Sequence, residues 1–95
     1  MHYCVTYDIS SNRLRLRTAK WCKQAGLLRL QRSVFVGAAL KRLIEELETQ
    51  VRAEMHPKDR LCIIALSQEA WQRMQIAGEA LPKELLDRSE LARYF

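Results

Sequence analysis

HYCVTYDI, residues 2–9, is the stretch from which the fold can be worked out. Its side chains alternate in character, and this alternation predicts a β-strand with two different faces. The larger apolar side chains share one face, and a more mixed set shares the other: Tyr3, Val5, Tyr7 and Ile9 on the first, and His2, Cys4, Thr6 and Asp8 on the second. If helices cover the first face, Asp8 lies at the end of the strand on the face away from them.

A basic helix is predicted directly after this strand. Ser10, Ser11 and Asn12 can each cap a helix, which would run from about Arg13 to Ala25 and end at Gly26. At 100° per residue one stripe of this helix is apolar and packs inward: Leu14, Thr18, Trp21, Cys22 and Ala25. Leu16 falls outside that stripe, so we expect its side chain to be exposed.

The rest of the chain predicts two more strand regions and a second helix. Residues 27–37 are typical of one long strand, or of two short strands separated by a bend. From residue 38 the helical period returns, with one apolar side: Leu40, Leu43, Ile44, Leu47 and Val51. Residues 61–66, LCIIAL, are apolar throughout, which is typical of a strand buried on both faces. Residues 73–78 are interpreted as a short last strand and residues 82–93 as a loose helix.

This order predicts an α+β fold of the ferredoxin-like, split βαβ kind. The elements would follow the order β-α-β-β-α-β, with an antiparallel sheet and two helices on one face. We assign residues 1–78 to this domain and residues 79–95 to a C-terminal tail. Because the LCIIAL strand makes the second sheet face apolar, we expect a second copy of the chain to cover it in a sheet-on-sheet homodimer.

Charge is distributed unevenly along the chain. Residues 1–44 hold nine bases and one acid, for a net charge of +8, whereas residues 45–95 hold seven bases and ten acids, for −3. Such polarity is typical of proteins that bind a polyanion, most often nucleic acid, although a basic helix can also serve solubility alone. The candidate ligands of the phosphate backbone are Arg13, Arg17 and Lys20 in one helical row, Arg15 beside it, and Arg29 and Arg32 from the next strand.

Asp8 is the candidate metal ligand and, through that metal, the candidate catalytic residue. If the second face is a twofold interface, two Asp8 carboxylates approach each other and could share a Mg²⁺ ion that activates water against a phosphodiester. The alternative is an aspartate that caps the helix or pairs with an arginine. Three cysteines without a CxxC spacing, no signal peptide and no apolar span together predict a cytoplasmic protein without a membrane partner.

Several short motifs resemble one known family. They are YDI at residues 7–9, RLRLR at 13–17, AK at 19–20, Gly26 and RLQRSVF at 29–35, with Asp59 before the LCIIAL strand. In these motifs the chain resembles the Cas2 family, the small CRISPR-associated spacer-acquisition proteins that partner the CRISPR integrase. A related group of toxin-type ribonucleases shares the fold and is the main alternative.

The resemblance implies both an assembly and a set of site residues. It implies a homodimer in which each Asp8 faces its mate near the twofold axis, where family members can bind Mg²⁺ or Mn²⁺. Arg15, Arg17 and Arg29 would match the family's functional arginines, and Tyr7, Ser33 and Phe35 would be motif residues that shape the interface. Members of the family bridge two integrase dimers and lie along the duplex of the prespacer DNA being inserted. Some have been described as metal-dependent nucleases, and the tail tends to contact the other subunit or the integrase.

Overall fold

The computed structural model of the protein describes residues 1–78. Within that range the chain forms β1 (His2–Asp8), α1 (Asn12–Gln24), β2 (Leu28–Gln31), β3 (Val34–Ala38), α2 (Lys41–Glu54), β4 (Arg60–Leu66) and α3 (Gln68–Arg73). The strands form one antiparallel sheet in the order β2-β3-β1-β4. The predicted β-α-β-β-α-β order is therefore confirmed, while the predicted tail at 79–95 and helix at 82–93 lie outside the described residues.

The first strand, β1, occupies the interior of the sheet between β3 and β4. Tyr3, Val5 and Tyr7 are buried, whereas the side chains between them are only partly covered or exposed. Opposite Val5 stand Phe35 on β3 and Ile63 on β4, which point to the same face. The alternation predicted from HYCVTYDI is thus confirmed, and the buried face packs against α1 and α2 in the main core.

Caps at both ends set the length of α1. The Ser11 hydroxyl accepts a hydrogen bond from the Leu14 amide (3.2 Å), which satisfies one of the free donors of the first turn. At the other end Gly26 takes a positive φ of 99°, which glycine adopts without steric cost. Leu14, Thr18 and Cys22 face the core as predicted, and Leu16 is 66% exposed.

Residues 27–37 form two short strands rather than one long strand. The turn between β2 and β3 lies at Arg32 and Ser33, and the pairing register shifts between Arg29 and Gln31. The amide of Tyr7 donates to the Ser33 carbonyl (3.1 Å), so the turn is fastened to the end of β1. The second of the two predicted alternatives, with its irregularity in RLQRS, is confirmed.

The second helix begins later than its sequence period indicated. Residue 38 still belongs to β3, and Leu40 is the N-cap of α2 without a side-chain hydrogen bond. Leu40 is 61% exposed, so its predicted place on the buried side is wrong, because the residue precedes the first helical turn. Ile44, Leu47 and Val51 are buried as predicted.

The LCIIAL strand, β4, is not buried on both faces in the single chain. It is an edge strand, because β1 is its only neighbour among the described strands. Leu61 and Ile63 pack against the main core, whereas Cys62 and Ile64 are exposed on the other face, Ile64 to 43%. The apolar run therefore includes a second face that stays open at Cys62 and Ile64 in the single chain.

A third helix, α3, occupies part of that second face. The Ser67 hydroxyl accepts a hydrogen bond from the Ala70 amide (3.0 Å) and starts the helix, and Trp71 is fully buried against Val36. The predicted strand at 73–78 is wrong, because this segment ends α3 and then continues without strand pairing. The chain itself thus covers one part of the face that we expected a second copy to cover.

No helix within residues 1–78 combines the length and the apolar character needed to cross a membrane.

Candidate functional site

Asp8 lies where the sequence placed it, at the end of β1 on the face away from α1 and α2. It stands directly opposite Arg60 on β4, and it is exposed. Its carboxylate makes no hydrogen bond or ion pair with any residue of the described range 1–78, which contradicts both a capping role and an arginine pair within the chain. The same range contains no group of three side chains able to hold a metal ion. One chain therefore offers a single, unengaged carboxylate.

The connection after Asp8 is held from two sides. Arg15 Nη1 donates to the carbonyl oxygens of Ile9 (2.8 Å) and Ser10 (2.9 Å), and Arg15 Nη2 donates to Asn12 Oδ1 (3.1 Å). Asp59 Oδ1 accepts from both the amide and the hydroxyl of Ser10, each at 3.0 Å. The guanidinium that the sequence nominated as a phosphate ligand is thus already engaged with the protein backbone.

Arg17 is also engaged, in a contact between the two large helices. Its Nη1 lies 2.7 Å from Oε1 of Glu54 on α2, and its guanidinium stands 5.2 Å from the centre of the Trp21 ring. Both partners of the ion pair are partly exposed, so the pair adds little to stability. A phosphate would compete with Glu54 for this arginine.

Three of the nominated cations are free for a ligand. Arg13 and Lys20 lie on the exposed side of α1, and Arg32 occupies the turn between β2 and β3. Among the described residues none of the three has an ion pair or a hydrogen-bonding side-chain partner. These side chains can meet a phosphate backbone without breaking a contact of the fold.

An open cleft of about 680 Å³ lies between the start of α1 and the β2–β3 turn. Arg15, Arg29 and Arg32 line it together with Tyr7 and Ser33, and none of the described residues that line it is acidic. The cleft therefore brings together cations from three separate elements. Its concave shape and positive charge suit an anionic group.

The motif residues lie beside this cleft and within the core. The guanidinium of Arg29 stands 5.1 Å from the centre of the Phe35 ring, which is buried and stacks with Tyr7 at 6.3 Å. Burial raises the pKa of the Tyr7 hydroxyl, and a hydrogen bond with Arg29 partly opposes that rise. Phe35 thus belongs to the chain's own core. It can affect an interface only through its neighbours Arg29 and Tyr7, whose positions it supports.

Asp59 is the functional candidate that the sequence reasoning did not assign. In the sequence Asp59 is distinguished only as part of a motif, yet the residue is 8% exposed and its carboxylate joins the β1–α1 connection to the turn before β4. Hydrogen bonds from the amides of Ser10 and His56 lower the pKa of the Asp59 carboxyl. Its signal in the sequence is weak, because an aspartate after a His-Pro-Lys turn is common in any loop.

The lowered pKa of Asp59 predicts an acid-dependent loss of stability. The folded carboxylate binds a proton less readily than the unfolded one, so its contribution is complete above the unfolded-state pKa and is lost as the pH falls through the folded value. We expect the difference in unfolding free energy between the parent and Asp59→Asn to narrow as the pH falls from 6 to 3. Urea unfolding at each pH measures it, with Glu45→Gln, an exposed carboxylate on α2, as control. A difference that stays constant over this range would contradict the prediction.

Comparisons with known proteins point to one family. Residues 1–74 match the family model described as "CRISPR associated protein Cas2". A protein of Methanospirillum hungatei named "CRISPR-associated endoribonuclease Cas2 1" is 26% identical over 83 residues, which is 86% of this chain and 87% of the relative. A protein of Korarchaeum cryptofilum named "CRISPR-associated endoribonuclease Cas2" is 35% identical over 63 residues, covering 65% of this chain and 68% of the relative.

Solved structures agree in fold. The crystal structure of Streptococcus pyogenes Cas2 superposes with a TM-score of 0.68 at 27% identity and covers 82% of this chain and 100% of the other. A hypothetical protein from Thermus thermophilus superposes with a TM-score of 0.63 at 28% identity, covering 84% of this chain and 90% of the other. The ferredoxin-like topology predicted from the strand and helix order is therefore shared with these structures.

Proposed function

Because the chain belongs to the Cas2 family of CRISPR-associated proteins, we propose that it is a scaffold of spacer acquisition. Two copies form a homodimer that bridges integrase dimers and lies along the backbone of the prespacer duplex. The observation that carries this proposal is the cationic surface of α1 and the β2–β3 turn. No acid occurs between residues 9 and 44, and Arg13, Lys20 and Arg32 are exposed and unpaired within the described part of the chain.

The uncovered part of the second sheet face supports the homodimer. Trp71 covers the region around Val36, but Cys62 and Ile64 on β4 stay exposed. Cys62 stands opposite Thr6 and Ile64 opposite Cys4, so a strip of largely apolar side chains leads to Asp8. A second copy that covers this strip about a twofold axis would bring two Asp8 carboxylates to one seam.

The character of the cations supports contact with the DNA backbone rather than with base edges. They are dispersed over a helix side and a turn, and no aromatic platform stands exposed among them. Arginine forks and lysine ammonium groups neutralise phosphates irrespective of sequence. The proposal therefore predicts duplex binding that tolerates any sequence and weakens steeply with salt.

A metal-dependent endonuclease is the second candidate function. It is favoured by the endoribonuclease names of the relatives and by the unengaged carboxylate of Asp8. An exposed carboxylate without a protein partner fits Mg²⁺ or Mn²⁺, but one chain supplies a single ligand, so the site would need the twin Asp8 and several waters. A metal bound there would supply an activated water for attack on a phosphodiester. Asp8 itself would only hold and orient the ion.

The substitution Asp8→Asn separates the two functions. It keeps the size of the side chain and removes the charge that a metal needs, while no contact of the described fold depends on it. As a scaffold, the Asp8→Asn dimer should support integration of a short duplex by the co-purified integrase at the parental rate. As a nuclease, it should lose cleavage of RNA or DNA in Mg²⁺ or Mn²⁺ by at least roughly 100-fold.

Both readouts are needed on the same preparations. Parental cleavage by Asp8→Asn would remove Asp8 from any catalytic role, and loss of integration by a folded Asp8→Asn dimer would overturn the pure scaffold. Glu45→Gln provides the matched loss of an exposed carboxylate and should behave as the parent in both assays.

A further inference from the structure

The backbone beside Asp8 is anchored at almost every polar atom. The carbonyls of Ile9 and Ser10 accept from Arg15 Nη1 at 2.8 and 2.9 Å. The amide and hydroxyl of Ser10 donate to Asp59 Oδ1, each at 3.0 Å. A surface connection is usually the mobile part of a domain, and four hydrogen bonds on two consecutive residues are more than a cap requires.

Asp59 is itself held in place. Its Oδ2 accepts from the His56 amide (2.9 Å), and its own amide donates to the His56 carbonyl (2.8 Å). The residue also immediately precedes Arg60, whose backbone stands opposite that of Asp8 in the β1–β4 ladder. Asp59 is therefore linked to Asp8 in two ways. It binds Ser10, two residues after Asp8, and it adjoins Arg60, which stands opposite Asp8 in the sheet.

The Asp8 carboxylate, unlike the residues beside it, is not held by the described part of the protein. It has no hydrogen bond or ion pair within residues 1–78, although its backbone neighbours are fixed. A free side chain on a fixed backbone is the arrangement expected of a group that is held ready for an external partner.

We propose that Asp59 and Arg15 form a clamp on Ile9 and Ser10 that positions the carboxylate of Asp8. Asp59 is thus a positioning residue, and Arg15 acts on the opposite side of the same connection. The inference rests on the proposed function, in which Asp8 meets its twin or a metal at the seam of the dimer. It assigns Asp59 a role in the site and gives Arg15 a role other than phosphate contact.

Two substitutions of Asp59 should affect the clamp differently. Asp59→Ala removes the acceptor for Ser10 and for His56 and leaves two amides without partners. Asp59→Asn keeps one carbonyl oxygen, which can still accept from Ser10, so it should retain most of the order of the connection. Glu45→Gln, which changes an exposed carboxylate in the first half of α2, is the matched control.

NMR of the full-length protein without DNA provides two independent readouts. The first is the backbone order parameter of Asp8, Ile9 and Ser10, which we expect to fall from about 0.85 to below about 0.6 in Asp59→Ala and to stay high in Asp59→Asn. The second is the affinity for added Mn²⁺, followed by broadening of the amide signals around Asp8. We expect a loss of roughly 10- to 100-fold in Asp59→Ala, as for other residues that orient a metal ligand.

A spectroscopic signature identifies the clamp itself. In the parent the amide protons of Ser10 and His56 should shift together in one acid titration, because both donate to the Asp59 carboxylate. Asp59→Asn should lack that titration. This readout does not depend on dimer formation, metal or activity.

The outcomes distinguish the clamp from the function on which it rests. A folded Asp59→Ala with an ordered connection and parental Mn²⁺ affinity overturns the clamp. If the parent shows no Mn²⁺ effect that Asp8→Asn abolishes, the metal-dependent function fails, and a loss of order in Asp59→Ala still supports the clamp. If Asp59→Ala does not fold, Ser10→Ala, which removes only the hydroxyl bond, should lower the order parameter at Ser10, and an unchanged value there would overturn the proposal.

Discussion

Trp71→Ala should lower the free energy of unfolding by about 3–5 kcal/mol, the range for a fully buried tryptophan replaced by alanine. Trp71 is 0% exposed and packs with Val36 at the centre of the cluster on the second sheet face. Its ring also stacks on His2 with the ring centres 4.4 Å apart. Because domains are typically stable by only about 5–15 kcal/mol, the substitution should remove a large share of the stability.

Urea unfolding followed by far-ultraviolet circular dichroism measures this loss. Leu16→Ala serves as control, since a side chain that is 66% exposed should change stability by no more than about 0.5 kcal/mol. A loss of less than about 1 kcal/mol for Trp71→Ala would mean that α3 is not docked as described. The result also bears on the dimer, because only the part of the second face that Trp71 leaves open is available to a second copy.

Reversing the three unpaired cations should abolish duplex binding. In Arg13→Glu/Lys20→Glu/Arg32→Glu each substitution changes the charge by two units, so the net charge moves from +5 to −1. If each cation neutralises one phosphate, the slope of log affinity against log salt falls by about 2.7, and affinity in about 100 mM salt drops by at least roughly 100-fold. None of the three contacts the fold by an ion pair within the described range, so the variant should remain folded.

The choice of residues follows from the structure rather than from the helical row. Arg15→Glu would remove the hydrogen bonds that hold Ile9 and Ser10, and Arg17→Glu would place a second acid beside Glu54. A loss of DNA binding in either variant would therefore be ambiguous. Fluorescence anisotropy with a labelled duplex at several salt concentrations measures the effect. The matched control is Lys41→Glu/Arg42→Glu/Lys58→Glu, which makes the same change of net charge at other exposed sites and breaks only the exposed pair of Arg42 with Glu46. An equal loss in both triple variants would indicate a general charge effect and refute the assigned surface.

The sequence by itself determined the order of elements from β1 to β4 and the two faces of β1 and α1, but it did not predict α3. The alternation of HYCVTYDI placed Asp8 away from the helices, and Ser11 and Gly26 set the ends of α1. Leu16 was correctly expected to be exposed. All of these features depend on residues a few positions apart, where backbone sterics and the helix or strand period act directly.

Only the tertiary structure decided which groups are free and which are engaged. Ser10 and Asp59 are 49 residues apart in the sequence, and Arg17 and Glu54 are 37 residues apart. No local sequence pattern therefore predicts either contact. The apolar run of β4 indicated a buried strand, but its place at the sheet edge leaves Ile64 exposed. The periodic pattern of a sequence fixes the direction in which a side chain points. The partner of that side chain depends on which distant element packs against it. For this reason the sequence could nominate Asp8 and the cations, and only the fold could separate the unengaged Arg13, Lys20 and Arg32 from the arginines held within the protein.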